Sequence, residues 1–199
     1  MVRIFRDADV HRYPAGRLLL SLEERRAGLE SLGGAREPRL VTETPDLDQH
    51  PIVTKLRAWK PEAIAETLFF RGETTLIVPR EWLRRVADYL ASEPDLDFKL
   101  LVDITAVDRY PVEPRFELNY HMVSLSRRER LRVRVRVAGR DPVADSVTQV
   151  WPTANWHERE IFDLFGVRFA GHPDLRRILM PDEWEGFPLR KDYPVEGPR

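Results

Sequence analysis

The chain has 199 residues, 42% of them hydrophobic and 33% charged, enough to enclose one core of ordinary size with appendages. Its 32 basic and 33 acidic residues leave a formal net charge of -1, which excludes whole-molecule attraction to nucleic acid or anionic lipid. With no cysteine it cannot hold an iron–sulfur cluster through thiolates, form a disulfide, build a cysteine zinc site or use a thiol nucleophile, so redox chemistry would belong to something else.

The chain opens Met-Val-Arg-Ile-Phe-Arg-Asp without the apolar stretch of a leader, and no apolar run nears the ~20 residues that span a bilayer. A soluble, intracellular protein is expected. Residues 1–58 read as an N-terminal extension, charged and broken by Pro14, Pro38, Pro45 and Pro51. Within it, Ser21 and Glu24 form a capping box and Gly33-Gly34 a stop, which predicts a short helix at 22–31. The compact unit is expected at 59–170. Pro61 precedes Ala63, Ile64, Ala65, Leu68 and Phe69, read as a helix; Thr74–Val78 is a strand; and Pro79 opens a helix carrying Trp82, Leu83, Val86, Tyr89 and Leu90. Three strands follow at 98–107, 116–125 and 130–138, with a tight turn near Arg127. In the last, Leu131, Val133, Val135 and Val137 alternate with Arg130, Arg132, Arg134 and Arg136, giving one core face and one cationic face. A charged row on an open sheet face reads as a solvated or docking surface in preference to a nucleic-acid site. The fold class is α+β, with helices packed on a mixed or mostly antiparallel sheet.

From Asn155 the run Asn-Trp-His-Glu-Arg-Glu-Ile-Phe-Asp-Leu-Phe is a helix stopped by Gly166. A helical projection places Ala154, Ile161, Phe162, Leu164 and Phe165 on one arc with Glu158 inside it, so Glu158 needs a basic or backbone partner, in this chain or across an interface. Arg159, Glu160 and Asp163 fall on the opposite side with Trp156. There Arg159 can pair with Asp163, and Trp156 and Glu160 face either solvent or an outside partner. Residues 171–199 hold Pro173, Pro181, Pro188, Pro194 and Pro198 among aromatic and charged residues, the composition of an extended C-terminal strap that docks on another surface.

No self-sufficient active site emerges. His157-Glu158 lacks the second histidine of a zinc helix because position 161 is Ile, and a metal site from His157, Glu160, His172 and Asp174 has no supporting spacing. No nucleophile elbow, Walker loop or dinucleotide-binding glycine motif is present. A stand-alone hydrolase or lyase using Glu158 as acid or base is the alternative of a different class.

Three motifs in fixed order carry a resemblance. Glu158-Arg159-Glu160 is followed by Asp163-Leu164-Phe165-Gly166, then by Gly171-His172-Pro173-Asp174-Leu175-Arg176-Arg177-Ile178-Leu179, then by Gly186-Phe187-Pro188-Leu189-Arg190-Lys191-Asp192-Tyr193-Pro194. Together with Asp103–Asp108 and Arg115-Phe116-Glu117 through Ser126, they resemble the 30-kDa subunit of respiratory complex I, the proton-pumping NADH:quinone oxidoreductase, as it occurs in bacteria, over about residues 60–195. The resemblance implies a non-redox structural subunit of the peripheral arm. It would dock on the 49-kDa-type large subunit near the terminal-cluster subunit and bind no cofactor itself, with FMN and iron–sulfur clusters in other subunits. It also implies peripheral attachment at the cytoplasmic face of the bacterial plasma membrane. Glu158, Arg159, Glu160, Asp163, His172, Asp174, Arg176, Arg177, Arg190, Lys191 and Asp192 are the expected interface residues, with no catalytic or metal-binding residue among them. The equivalent subunit of a membrane-bound hydrogenase or photosynthetic-type dehydrogenase is the alternative within the same family.

Overall fold

The computed structural model describes residues 46–196, so the helix expected at 22–31 lies outside the described residues. The described part begins with a helix. Pro51 supplies the preset φ of a first turn, and helix α1 (Pro51–Trp59) buries Ile52, Val53 and Leu56 completely. The core therefore reaches upstream of the boundary expected at 58/59.

The helix expected from Pro61 is replaced by a single 3-10 turn at Pro61–Ala63, followed by strand β1 (Glu66–Phe70). Strand β1 pairs antiparallel with β2 (Glu73–Ile77) through a two-residue turn, Arg71-Gly72, in which both residues have positive φ. That turn has the twist a hairpin needs, and Thr67, Leu68, Phe69 and Phe70 suit a pleated surface better than a helix. Helix α2 (Leu83–Ser92) then crosses over, burying Leu83, Val86, Ala87 and Leu90. Strands β3 (Leu100–Asp108), β4 (Phe116–Ser124) and β5 (Glu129–Val137) form an antiparallel meander. Because β5 lies parallel to β2, the five-stranded sheet is mixed, in the order β1-β2-β5-β4-β3.

Period-two alternation sorts the sheet's faces. Leu118, Tyr120 and Met122 of β4 and Leu131, Val133, Val135 and Val137 of β5 are buried in the core with both helices. The loop after β6 (Val143–Asp145) closes one side, and its Trp151 donates its indole N–H to the Phe98 carbonyl at 3.0 Å. Helix α3 (Ala154–Phe165) and the short strand β7 (Arg168–Ala170), parallel to β6, complete the unit.

The opposite face of the sheet is less cationic than the sequence suggests. Glu117, only 5% exposed, lies across from Arg136 at 3.3 Å, Arg134 at 3.9 Å and Arg109 at 3.2 Å. Arg132 pairs with Glu73, and Arg134 also donates to the Asn119 side-chain oxygen at 2.9 Å. The arginine row is a cross-strand ion ladder, and Arg130 at its end has no ion pair among the described residues.

Candidate functional site

The sequence places its most distinctive residues on α3 and in residues 171–196, and these two parts meet. Gly166 ends α3 at φ 70°, with its N–H on the Phe162 carbonyl at 2.9 Å. Phe187 packs where a Cβ on Gly166 would sit, 2.5 Å from the ring, so the position needs glycine for its left-handed backbone and for its bareness.

On its inner side α3 buries Ala154 and Ile161 and, fully, Glu158. One Glu158 oxygen accepts the Val147 N–H at 2.7 Å, so its partner is the backbone of the same chain; the other has no partner among the described residues. Burial pushes this carboxyl up to about 7, against weaker pulls from Ser146, the Val147 N–H and Arg84. A carboxyl with no exposed surface cannot reach a substrate, which removes the basis for a stand-alone hydrolase or lyase at Glu158.

The outer side differs from the helical projection. Arg159 and Asp163 do not pair with each other; both are covered, Arg159 to 8% exposure and Asp163 to none. Residues 176–180 fold back over this side. One Asp163 oxygen accepts the backbone N–H groups of Ile178, Leu179 and Met180 at 3.0, 2.7 and 2.9 Å, and the other takes the Arg177 guanidinium at 2.6 Å. Burial alone would raise the Asp163 carboxyl, but these donors outweigh it and hold it below the ordinary value. Arg159 donates instead to the carbonyls of Arg176 and Arg177 at 3.2 and 3.1 Å, with its guanidinium 5.5 Å from the Trp156 ring. The projection fails here because acceptors for the cation and donors for the anion arrive from a distant backbone.

Further along, Arg190 donates to the Phe165 carbonyl at 2.6 Å and lies over the rings of Phe187 and Phe116. Arg115 joins the two ends of the site: it grips Asp108 at 2.7 and 2.8 Å and Asp192 at 2.6 and 2.9 Å, while the Lys191 N–H reaches Asp108 at 2.9 Å. Burial opposes ionisation of Asp108, yet Arg115 and the Lys191 and Tyr110 amides bring its carboxyl down to about 2. Asp108 and Arg115 stand in the upstream motifs, but no role follows from their spacing alone.

His172 accepts the Asp174 N–H on Nδ1 at 3.0 Å, so its Nε2 carries the proton and donates to the Asn155 carbonyl at 3.2 Å. Arg176, paired with Asp174 at 2.9 Å, and Glu160 and Lys191 are exposed. Trp156, Leu179 and Leu189 are exposed at 61%, 60% and 51%. No group of three or more metal-ligating side chains occurs among the described residues, and no helix among them is long and apolar enough to cross a membrane.

The chain is similar to the C subunit of NADH-quinone oxidoreductase from Roseiflexus sp. (strain RS-1), 46% identical over 75% of this chain and 86% of that one. It is also similar to the corresponding NADH-quinone oxidoreductase subunit of Geobacter sulfurreducens, 46% identical over 73% and 90% of the two chains. Among solved structures, it resembles a trypsin-resistant fragment of Nqo5, with a TM-score of 0.51 and 34% identity over 61% of this chain and 97% of that one. A chain of the membrane-bound sulfane sulfur reductase, an archaeal respiratory membrane complex, superposes with a TM-score of 0.60 and 28% identity over 72% and 84%. Residues 76–199 match the family model described as the 30 Kd subunit of respiratory-chain NADH dehydrogenase, and the chain, a subunit of an oxidoreductase complex, belongs to that family.

Proposed function

We propose that this chain is a non-redox structural subunit of the peripheral arm of an NADH:quinone oxidoreductase, docked on the 49-kDa-type large subunit close to the terminal-cluster subunit. The observation that carries this reading is the pairing on the covered side of α3. Arg177, Arg190 and Asp192 and the amides of Ile178, Leu179, Met180 and Lys191 are bonded within the chain, while Trp156, Leu179 and Leu189 stay exposed. A segment fixed by its polar groups and presenting apolar side chains is a preorganised docking surface, since little conformational entropy remains to be lost on association. FMN and iron–sulfur clusters would sit in other subunits, and the chain would hold its partner in the geometry that electron transfer to quinone, coupled to proton translocation, requires. It would lie at the cytoplasmic face of the bacterial plasma membrane through the complex, with no role for nucleic acid.

The likeness to a chain of the sulfane sulfur reductase complex favours a second reading, the same scaffold role in a related membrane-bound complex. Tagging the chain in its native host and solubilising membranes in mild detergent separates the two. Co-purification of a flavin- and iron-containing assembly with NADH:quinone activity supports the first. A different oxidoreductase supports the second, and a lone chain overturns both.

A further inference from the structure

The open face of the sheet holds a second surface, which borders α3 where Asp103 lies 3.4 Å from His157. Register places the Arg71-Gly72 turn, the β4–β5 turn and the starts of β2, β3 and β5 at one end: Phe70 is opposite Glu73, Thr74 beside Leu131, Ser124 opposite Glu129, and Leu100 opposite Val123. At this end a cleft of about 280 Å3 opens between Val102, Val123, His121 and Arg130. It lies just below the size range of small-molecule sites and is concave, with Val102 half exposed at a bulge in β3 and Leu100 beside it.

The charges at this end do not balance. Three of the carboxylates are paired with cations, Glu73 with Arg132, Glu129 with Arg127 at 2.9 Å and Asp97 with Lys99 at 2.6 Å, and Asp103 lies 3.4 Å from His157. Arg71, Arg128 and Arg130 have no carboxylate partner among the described residues; Arg71 only stacks on the exposed Phe70. Neither ring nitrogen of His121 is hydrogen-bonded among the described residues. Burial and the nearby Arg132 hold this ring below its ordinary pKa, leaving a neutral imidazole with one donor and one acceptor facing the cleft.

We propose that this end of the open sheet face is a docking site for an extended acidic segment of a neighbouring subunit, with one apolar side chain of that segment seated against Val102 and Val123. Surplus guanidinium charge around an apolar recess fits carboxylates flanking such an anchor, and the recess is on a sheet face, where a flat bilayer surface makes poor contact. The cleft adjoins α3 at the Asp103–His157 contact, but its apolar side chains, Val102 and Val123, are distinct from the exposed Leu179 and Leu189 beside the far part of α3, so the two surfaces can be tested independently.

The test places a benzoylphenylalanine photo-crosslinker at Val102 in the full-length chain in its native host. The assembly is purified in mild detergent and the adduct mapped by mass spectrometry. The expected adduct is a peptide of another subunit with a clear excess of Asp and Glu. Its yield should fall about tenfold with Arg130→Glu and recover with Arg130→Lys, as expected for a rim charge that steers association. Arg130 is exposed and unpaired, so both variants should fold, as circular dichroism would check. An adduct with lipid, with a second copy of this chain, or with a peptide lacking acidic excess overturns the proposal. So does no adduct from position 102 when the same crosslinker at Leu179 reacts. Loss of the Leu179 adduct alone would count against the α3 surface and leave this site standing.

Discussion

Asp163 and Arg177, fourteen residues apart, meet at 2.6 Å on the side of α3 that the helical projection places opposite its apolar arc. The same carboxylate gathers three consecutive backbone N–H groups, at Ile178, Leu179 and Met180, on its other oxygen. One acidic side chain thus fixes both the path and the register of the segment that crosses the helix. Charge-assisted bonds of this kind are about twice as strong as neutral ones and leave a costly orphan when one partner is removed.

Asp163→Asn keeps the shape but removes the charge and half of the acceptor capacity. The expected loss is about 2–4 kcal/mol of stability with loosening of residues 176–180. Urea denaturation measures the first effect, and limited proteolysis C-terminal to Arg176 or Arg177 the second. A variant as stable and as resistant as the parent would show that Asp163 does not hold the segment.

Gly166→Ala should cost about 1–2 kcal/mol from the left-handed backbone alone, with a further penalty because the new Cβ overlaps the Phe187 ring. Phe187→Ala removes the second part, so the pair should be less than additive in a double-mutant cycle. Strict additivity would indicate that the ring does not rest on Gly166.

Glu158 predicts a pH effect of opposite sign to ordinary acid denaturation. Its carboxyl lies near 7 in the fold against an ordinary 4.5, so the folded state favours the protonated form. The contribution is complete below pH 4.5 and is lost as the pH rises through 7, by about 3 kcal/mol. Glu158→Gln, neutral at every pH, should flatten stability between pH 5 and 8 in denaturant titrations. An unchanged slope in the variant would place the titration elsewhere.

Arg176→Glu and Arg177→Glu should part company. Arg176 is exposed and bonds only to the exposed Asp174 by its side chain, so reversal should change folding by less than about 0.5 kcal/mol. Its effect should appear as reduced yield of the assembled complex. Arg177→Glu places a second anion beside buried Asp163 and should destabilise the isolated chain. Equal complex yield for Arg176→Glu would remove that residue from the docking surface.

The sheet was legible where side-chain character alternated strictly, as in Leu131–Val137, and α3 was legible because its apolar arc ended at Gly166. Strand β1 was not. Ala63, Ile64, Ala65, Leu68 and Phe69 fit a helical arc, and the deciding signal was the Arg71-Gly72 turn beyond them. Helix α1 was missed because Ile52, Val53 and Leu56 give only two turns of pattern behind Pro51. Covering of Arg159 and Asp163 was invisible for a deeper reason. Residues 176–192 attach through backbone amides, carbonyls and guanidinium groups, and hydrophobic periodicity has no access to bonds made by a distant backbone. Arg115 likewise gains its role only when Asp108 and Asp192 converge on it.

In the chain by itself, residues 177–180 already cross α3, held by Asp163. Hydrogen exchange at the Ile178, Leu179 and Met180 amides, measured on the full-length chain alone and within the complex, tests this most directly. Strong protection of all three is predicted in the free chain, and its loss in Asp163→Asn. Exchange at unprotected rates in the free chain, with protection appearing only in the complex, would contradict it.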